Sequence, residues 1–194
     1  EIDAVVVGHF NPGFVKQGFT AGLSGGLLPG LQMVPAVRVE NACATGSAAI
    51  HHAQALIASG QARHVLAIGV EVMSALPTRE VGQALLQACY VKEEIETPAG
   101  FAGMFAKLAD AYAERHGDPH PAMARIAAKN HANGLHNPLA QLHLDVDAAF
   151  CDTESDKNPR VIGRLLRSDC SPLSAGAAAV VLSPANPHQR HHTA

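Results

Sequence analysis

The sequence predicts an α/β domain, in which a mainly parallel sheet flanked by helices carries a mostly helical insertion. In the first 74 residues, strand-like apolar segments alternate with an alanine-rich segment, which is the pattern of a βαβ unit. Helical patterns dominate from residue 75 to 165, and a strand-like segment returns later. Hydrophobic residues make up 47% of the 194 residues and charged residues 16%, so we expect a packed core.

The first part of the chain contains three predicted strands and one predicted helix. Residues 2–8 (IDAVVVG) are a short apolar run that ends at glycine, and residues 35–40 (PAVRVE) and 64–70 (HVLAIGV) have similar character. Residues 42–59 are rich in alanine, lack proline and precede Gly60, which favours a helix with a glycine stop. This strand–helix–strand order implies parallel neighbouring strands.

The middle of the chain has the pattern of helices. Residues 101–116 (FAGMFAKLADAYAERH) predict an amphipathic helix that ends before Gly117, and residues 121–133 predict another. Residues 145–159 are acidic and predict a loop, whereas residues 177–183 (AAAVVLS) predict a strand that returns to the sheet.

These segments divide the chain into four parts. Residues 1–74 form the first part of a core, residues 75–165 an insertion, and residues 166–183 the return to the core. Residues 184–194 are rich in proline and histidine and have no apolar period, so we expect a disordered tail.

Composition and cysteine spacing exclude several classes of protein. The net charge of −3 predicts no surface for nucleic acid or an anionic membrane, and no apolar run is long enough for a transmembrane helix. The cysteines are far apart and form no Cys-x-x-Cys pair, so we expect no metal site and no disulfide framework. This usage favours a reducing, cytoplasmic location. The four cysteines are Cys43, Cys89, Cys151 and Cys170.

Cys43 is the strongest candidate for a reactive residue. It lies in a segment of small residues, Asn41–Ala49, that follows a predicted strand and opens a predicted helix. Backbone N–H groups and the helix dipole favour a thiolate at this position, and a thiolate beside N–H donors can attack an acyl carbon. The alternative is that Cys43 is one more small core residue. Because neither a GxSxG nor a GxxxxGK[ST] motif is present, hydrolase and P-loop interpretations lose support.

Four segments, taken in order, resemble the thiolase family. VENACATGSAA at 39–49 is similar to the nucleophile segment of thiolases, and IGVEVMS at 68–74 is similar to their Gly-x-Glu-x-Met-Ser strand end. KNHANGLHNPLAQ at 129–141 and SDCSPLSAGAAAVVL at 168–182 resemble the sterol-carrier-protein type of thiolase in particular. Each segment is modest evidence alone, but the ordered set is specific and spans most of the chain.

The resemblance implies an acyl-transfer mechanism on coenzyme A thioesters. Cys43 would accept the acyl group from an acyl-coenzyme A or a 3-ketoacyl-coenzyme A, and its backbone N–H would supply one oxyanion donor. A second coenzyme A substrate would then complete thiolytic cleavage or Claisen condensation. Coenzyme A is a substrate in this scheme, and no separate cofactor is expected.

The resemblance also assigns positions outside the nucleophile segment. The insertion at 75–165 matches the family's loop domain, which covers the pantetheine arm and the acyl group. Met104 matches a methionine near the acyl group, and Ser171 matches a serine that contacts coenzyme A. Thiolases pair through their sheets, so a homodimer is implied.

A local basic run has two interpretations. Lys157, Arg160, Arg164 and Arg167 recur at three- and four-residue spacing. They could meet the phosphates of coenzyme A, or they could form a solvated helix face.

Departures from the family pattern predict that these residues are part of a longer polypeptide. Thiolases consist of two similar halves, and the second half carries a Gly-His-Pro motif and a Cys-x-Gly motif, neither of which occurs here. Ala175 stands where the family usually has an aspartate, and the chain begins at Glu1 within a strand-like run.

Three other functions remain as alternatives. IGVEVMS and the HNPLAQ segment argue against a ketoacyl synthase. Thiolase-like components of steroid side-chain aldolases typically lack the nucleophilic cysteine, so Cys43 argues against that role. A non-catalytic thiolase-like binding or scaffold protein is the alternative from a different class, because the motifs of the second half are missing.

Overall fold

The computed structural model describes residues 1–185, and these fold as two compact units. The first unit contains Glu1–Pro77 and the described residues from Ser174 onward, and the second unit is Thr78–Leu173. Residues 166–173, which we expected in the core, therefore lie in the second unit. The expected disorder of the tail falls almost entirely on residues 186–194, which lie outside the described part of the chain.

The described residues form six strands and seven α-helices, and five of the helices follow one another between β3 and β4. The strands are β1 (Ala4–Gly8), β2 (Ala36–Val39), β3 (Val65–Val72), β4 (Arg160–Ile162), β5 (Leu165–Leu166) and β6 (Ala175–Leu182). The helices are α1 (Leu23–Leu27), α2 (Thr45–Ala58), α3 (Thr78–Leu85), α4 (Val91–Glu94), α5 (Phe101–His116), α6 (His120–Gly134) and α7 (Ala148–Asp152). Three 3-10 turns lie at Ala42–Ala44, Leu86–Ala88 and Arg167–Asp169.

The first unit is built on a four-stranded sheet of order β2-β1-β3-β6. Strand β1 pairs in parallel with both β2 and β3, and β6 pairs antiparallel with β3 along its whole length. The predicted α/β class with a mainly parallel sheet is therefore confirmed. Because the three parallel strands end on the same edge, the residues that follow β1 and β2 lie beside the end of β3.

Strand alternation places one apolar cluster on each face of this sheet. On one face Val6 and Val65 pack with Ala49 and Ala53 of α2, and all four are at most 1% exposed. Alanine on α2 lets the helix lie close to the sheet. On the other face a second cluster contains Val5, Val7, Ala21 and Leu31.

The second unit agrees with the two long predicted helices and adds elements that were not predicted. Helix α5 has the predicted limits, and α6 extends the predicted helix by one residue at each end. The loop expected at 145–159 is partly wrong, because it contains α7, whose first turn is capped by the Asp147 carboxylate through the Phe150 N–H. Strands β4 and β5 form a small antiparallel hairpin.

No helix within residues 1–185 has the length and apolar character needed to cross a membrane.

Candidate active site

Cys43 lies in the tight connection between β2 and α2. Its side chain is exposed, and the residue sits in the centre of the 3-10 turn that precedes the helix. Ala42 has a φ of +45°, in the left-handed region that non-glycine residues rarely adopt. The turn therefore holds an unfavourable backbone conformation immediately before the candidate nucleophile.

Thr45 fixes the shape of this turn. Its Oγ1 accepts the Asn41 backbone N–H at 2.8 Å and donates to the Ala42 carbonyl at 2.6 Å. The Glu40 carboxylate accepts the Ala42 N–H. Thr45 is 6% exposed, so its two hydrogen bonds are partly shielded from competing water, whereas the bond to Glu40 is exposed. The backbone of Asn41 and Ala42, just before Cys43, is thus held by side chains, while Cys43 itself is exposed.

Gly8, at the end of β1, allows the sheet to approach this turn closely. A Cβ at Gly8 would lie 2.8 Å from the Thr45 carbonyl oxygen and 3.1 Å from its Cγ2. Since real Cβ atoms essentially never come closer than 3.0 Å to another atom, a side chain at Gly8 would displace the first turn of α2.

The other three cysteines have different surroundings. Burial is the main cause that raises the pKa of Cys89, Cys151 and Cys170, and nearby carboxylates raise it further. A raised thiol pKa means less thiolate at neutral pH, and hence slower reaction with electrophiles. All four cysteines are free, and Cys43 alone among them is exposed.

A cavity of about 620 Å³ lies in the second unit. Ser171 and Cys170 line it, so the serine assigned to coenzyme A borders a space large enough for a ligand. Leu142, Leu144 and Phe150 supply an apolar wall.

The basic run separates into two kinds of residue. Arg160 pairs with Glu154, and Arg164 pairs with Asp110 and Asp118, which raises the pKa of its guanidinium. Lys157 and Arg167 instead line the cavity, and neither forms an ion pair with another residue of the described part. The two unpaired cations therefore border the cavity, whereas the two paired arginines form ion pairs with carboxylates at the surface.

Met104 lies on α5 within the second unit. It is half-buried, and its Sδ accepts the Thr97 hydroxyl at 3.3 Å. It is not among the residues that line the cavity beside Ser171. Cys43 belongs to the first unit, whereas Met104 and Ser171 belong to the second.

Sequence reasoning missed two buried polar groups near the cavity. Asn158 is 1% exposed. Its side-chain amide donates to the carbonyls of Phe150, Cys151 and Thr153, and its Oδ1 accepts the Ser168 N–H. The Asp169 carboxylate is 1% exposed, accepts the Leu166 N–H and lies 3.4 Å from His120 Nε2. A single Asn or Asp in a loop carries no sequence signal for such burial.

Within residues 1–185 no group of three His, Cys, Asp or Glu side chains is arranged to hold a metal ion.

Comparisons with known proteins agree with the resemblance. The family described as thiolase, N-terminal domain, matches residues 1–150. The chain is 33% identical over 190 residues to an acetyl-CoA acetyltransferase of Methanothermobacter thermautotrophicus, which covers 96% of this chain and 47% of that protein. It is 32% identical over 187 residues to an acetyl-CoA acetyltransferase of Methanocaldococcus jannaschii, covering 95% of this chain and 46% of that protein.

A third relative carries a different name. The chain is 30% identical over 167 residues to sterol carrier protein 2 of Homo sapiens, covering 79% of this chain and 29% of that protein. The chain thus spans less than half the length of these three relatives. Since the family match covers well over half of the chain, this protein belongs to the thiolase family.

Proposed function

We propose that this chain carries the nucleophile of an acyltransferase that acts on coenzyme A thioesters through a covalent acyl group on Cys43. The observation that supports the proposal best is the exposed thiol in a turn whose flanking backbone is fixed by Thr45 and Glu40. A nucleophile held in one geometry reduces the entropic part of the barrier to attack. Membership of the thiolase family supports the same chemistry.

The first half-reaction forms a thioester on Cys43. The thiolate attacks the carbonyl carbon, and the carbonyl oxygen becomes an oxyanion that the backbone N–H of Cys43, in the 3-10 turn before α2, would stabilise. When the substrate is an acyl-coenzyme A, the C–S bond to coenzyme A breaks and free coenzyme A leaves. When it is a 3-ketoacyl-coenzyme A, a C–C bond breaks, and the departing enolate takes a proton to become acetyl-coenzyme A.

The second half-reaction removes the acyl group from Cys43. Attack by the thiol of coenzyme A gives a shortened acyl-coenzyme A, whereas attack by the α-carbon of acetyl-coenzyme A gives condensation. The general base and acid of these steps are not assigned to residues of this chain. By the family resemblance, we place them on a further part of the polypeptide. The relatives' greater length is consistent with such a part.

The cavity of the second unit is the proposed binding site for coenzyme A. Lys157 and Arg167 would hold phosphate groups, Ser171 would offer a hydroxyl, and the apolar wall would contact the pantetheine arm. The resemblance to thiolases is the only support for Met104 as a contact of the acyl group. The scheme requires no cofactor besides the coenzyme A substrate.

Assembly and location follow the resemblance and the cysteine usage. We propose a homodimer formed through the sheet, and a cytoplasmic enzyme that handles acyl groups of lipid metabolism. Sedimentation of the purified protein tests the first, and fractionation of its source cells tests the second. The intact mass of the native polypeptide tests whether it is longer than these 194 residues.

Alkylation of the native protein tests the role of Cys43. Iodoacetamide should label Cys43 much faster than Cys89, Cys151 or Cys170, because Cys43 is exposed and the pKa of each of the others is raised by burial. Acetyl-coenzyme A should protect Cys43. The variant Cys43→Ala should lack thiolase turnover, whereas the matched variant Cys89→Ala should retain it. Uniform slow labelling of all four cysteines would refute the proposal.

The alternative function is binding without catalysis. The sterol carrier protein 2 name of several relatives and the apolar wall of the cavity favour a lipid-binding role. Tight binding of a fatty acyl group by a protein whose Cys43 is never acylated would support this alternative.

A further inference from the structure

The side chains of Glu71 and Arg38, which carry opposite charges, form hydrogen bonds with the backbone at the end of β1. We call residues 8–11, which begin at the last residue of β1, the strand-end turn. It lies at the edge where the three parallel strands end, next to the connection that carries Cys43. Neither side chain belongs to the chemistry proposed above.

Glu71, the second-last residue of β3, accepts hydrogen bonds from N–H groups of the strand-end turn. Its Oε2 accepts the N–H of Phe10 at 3.2 Å and that of Asn11 at 3.1 Å. Its Oε1 lies 3.3 Å from Nε2 of His9, whose side chain is 5% exposed. The other ring nitrogen of His9 lies 3.2 Å from the Thr20 hydroxyl. The carboxylate thus binds two consecutive amides and faces a buried imidazole.

Arg38, on β2, holds the carbonyl groups of the same turn. Its Nε donates to the His9 carbonyl at 2.7 Å, and its Nη2 donates to the Phe10 carbonyl. The His9 N–H in turn donates to the Val39 carbonyl at 3.3 Å. Charge-assisted hydrogen bonds of this kind are about twice as strong as neutral ones. The strand-end turn is therefore fixed from both sides, by a cation on β2 and an anion on β3.

The strand-end turn in turn supports the Cys43 connection. Gly8 packs against the Thr45 carbonyl with no room for a Cβ, and Thr45 shapes the turn that presents Cys43. Arg38 is also only five residues before Cys43 on the same strand and connection. Displacement of the strand-end turn would therefore reach the backbone on both sides of the nucleophile.

We infer that Glu71 and Arg38 are positioning residues for Cys43. By fixing the strand-end turn, they hold the first turn of α2 in the geometry in which the Cys43 thiol and its backbone N–H can act together. The inference rests on the proposed function of Cys43. It assigns a role to the glutamate of the IGVEVMS segment, for which the sequence alone offered only a resemblance.

Asp3 provides a matched control at the opposite end of the same strands. Its carboxylate also accepts two consecutive backbone N–H groups, from Arg63 and His64, both at 2.8 Å. Asp3 precedes β1, and the amides that it binds precede β3. An alanine at Asp3 removes an equivalent pair of hydrogen bonds from the edge that lacks Cys43.

The test compares Glu71→Ala, Arg38→Ala and Asp3→Ala in the full-length native protein. Three quantities are measured: the rate of Cys43 labelling by iodoacetamide, kcat and KM for acetyl-coenzyme A, and the midpoint of urea unfolding. We expect the first two variants to lower the labelling rate and kcat by about tenfold with little change in KM, because a misplaced nucleophile loses attack geometry rather than substrate binding. Asp3→Ala should lower the unfolding midpoint but leave the labelling rate and kcat unchanged.

Conservative variants keep the inference testable if an alanine variant fails to fold. Glu71→Gln retains one acceptor oxygen, and Arg38→Lys retains the charge but loses the two-nitrogen fork. Both should recover part of the lost rate. Wild-type labelling rates in all of these variants would overturn the inference while leaving the proposed function intact. Slow Cys43 labelling in the wild-type protein would instead overturn the proposed function.

Discussion

Replacing Gly8 with alanine should displace the first turn of α2. The new Cβ would lie 2.8 Å from the Thr45 carbonyl oxygen, which is 0.6 Å short of the 3.4 Å at which ordinary van der Waals contact begins. A backbone oxygen cannot rotate away as the end of a flexible side chain can, so strand and helix must separate. Overpacking of this kind typically lowers the free energy of unfolding by about 1–3 kcal/mol.

Gly69 provides the matched control for this substitution. It is the register partner of Gly8 on β3, but a Cβ there would meet no atom nearer than 4.0 Å. Alanine in a strand interior is favoured over glycine by about 0.5–1 kcal/mol, so Gly69→Ala should be neutral or stabilising. The two variants thus make the same chemical change on paired residues with opposite expected signs.

Urea unfolding measures the stability of both variants. If the dependence of the unfolding free energy on urea concentration is unchanged, a shift of the midpoint reports the change in stability. The Gly8→Ala protein should also label more slowly at Cys43, because the displaced turn carries the nucleophile; a loss of about tenfold is expected for a shift of this size. Equal midpoints and equal Cys43 labelling rates for the two alanine variants would refute the close approach of β1 to α2.

Three further predictions concern charged groups. His120→Ala should lower the free energy of unfolding by about 1–2 kcal/mol, because it removes the imidazole that lies 2.8 Å from the Asp152 carboxylate and 3.4 Å from the buried Asp169 carboxylate. Denaturant unfolding checks this, and an unchanged midpoint would show that these contacts add nothing to stability. Backbone N–H groups lower the pKa of Asp3, so its stabilisation exists above the unfolded pKa of about 3.9 and is lost as pH falls through the lower folded pKa. Asp3→Asn should therefore lower the free energy of unfolding at neutral pH, and this free energy should fall less steeply in acid than it does in the wild-type protein. Equal pH dependence of the free energy of unfolding in the two proteins would contradict this. Lys157→Ala should raise KM for coenzyme A about tenfold, whereas Arg160→Ala, whose side chain pairs with a glutamate, should not; equal KM values would remove Lys157 from the binding site.

Elements with strong local signals were predictable from the sequence. Helix α5 has its predicted limits because Gly117 adopts a φ of +83° directly after it and Pro119 cannot continue it. The apolar runs of β1 and β3 are buried central strands, so their composition identified them. Cys43 stood out because its strand-to-helix position follows from these neighbouring elements.

Features that depend on tertiary contacts were not predictable. Strands β4 and β5 have three and two residues, too few for a period to emerge. The antiparallel direction of β6 is not encoded in its own alanine- and valine-rich sequence. The hydrogen bonds of Glu71 and Arg38 with the strand-end turn join residues that are 28 to 61 positions apart in the sequence. No local sequence pattern predicts hydrogen bonds over such separations.

The different roles of the four basic residues also depend on tertiary contacts and could not be predicted from the sequence. Sequence spacing treated the four basic residues as one run with two possible roles. The structure divides them, because Arg160 and Arg164 have carboxylate partners whereas Lys157 and Arg167 border the cavity. The partners of Arg164 lie 46 and 54 residues away, beyond the reach of any spacing rule.

The most direct test of the central claim is the mass of the peptide that contains Cys43 after brief incubation of the full-length protein with acetyl-coenzyme A. The account predicts one acetyl group on that peptide, released coenzyme A in equal amount, and loss of the acetyl group when excess coenzyme A is added. Turnover without acetylation of Cys43, or acetylation of Cys89 or Cys170 in its place, would contradict the account.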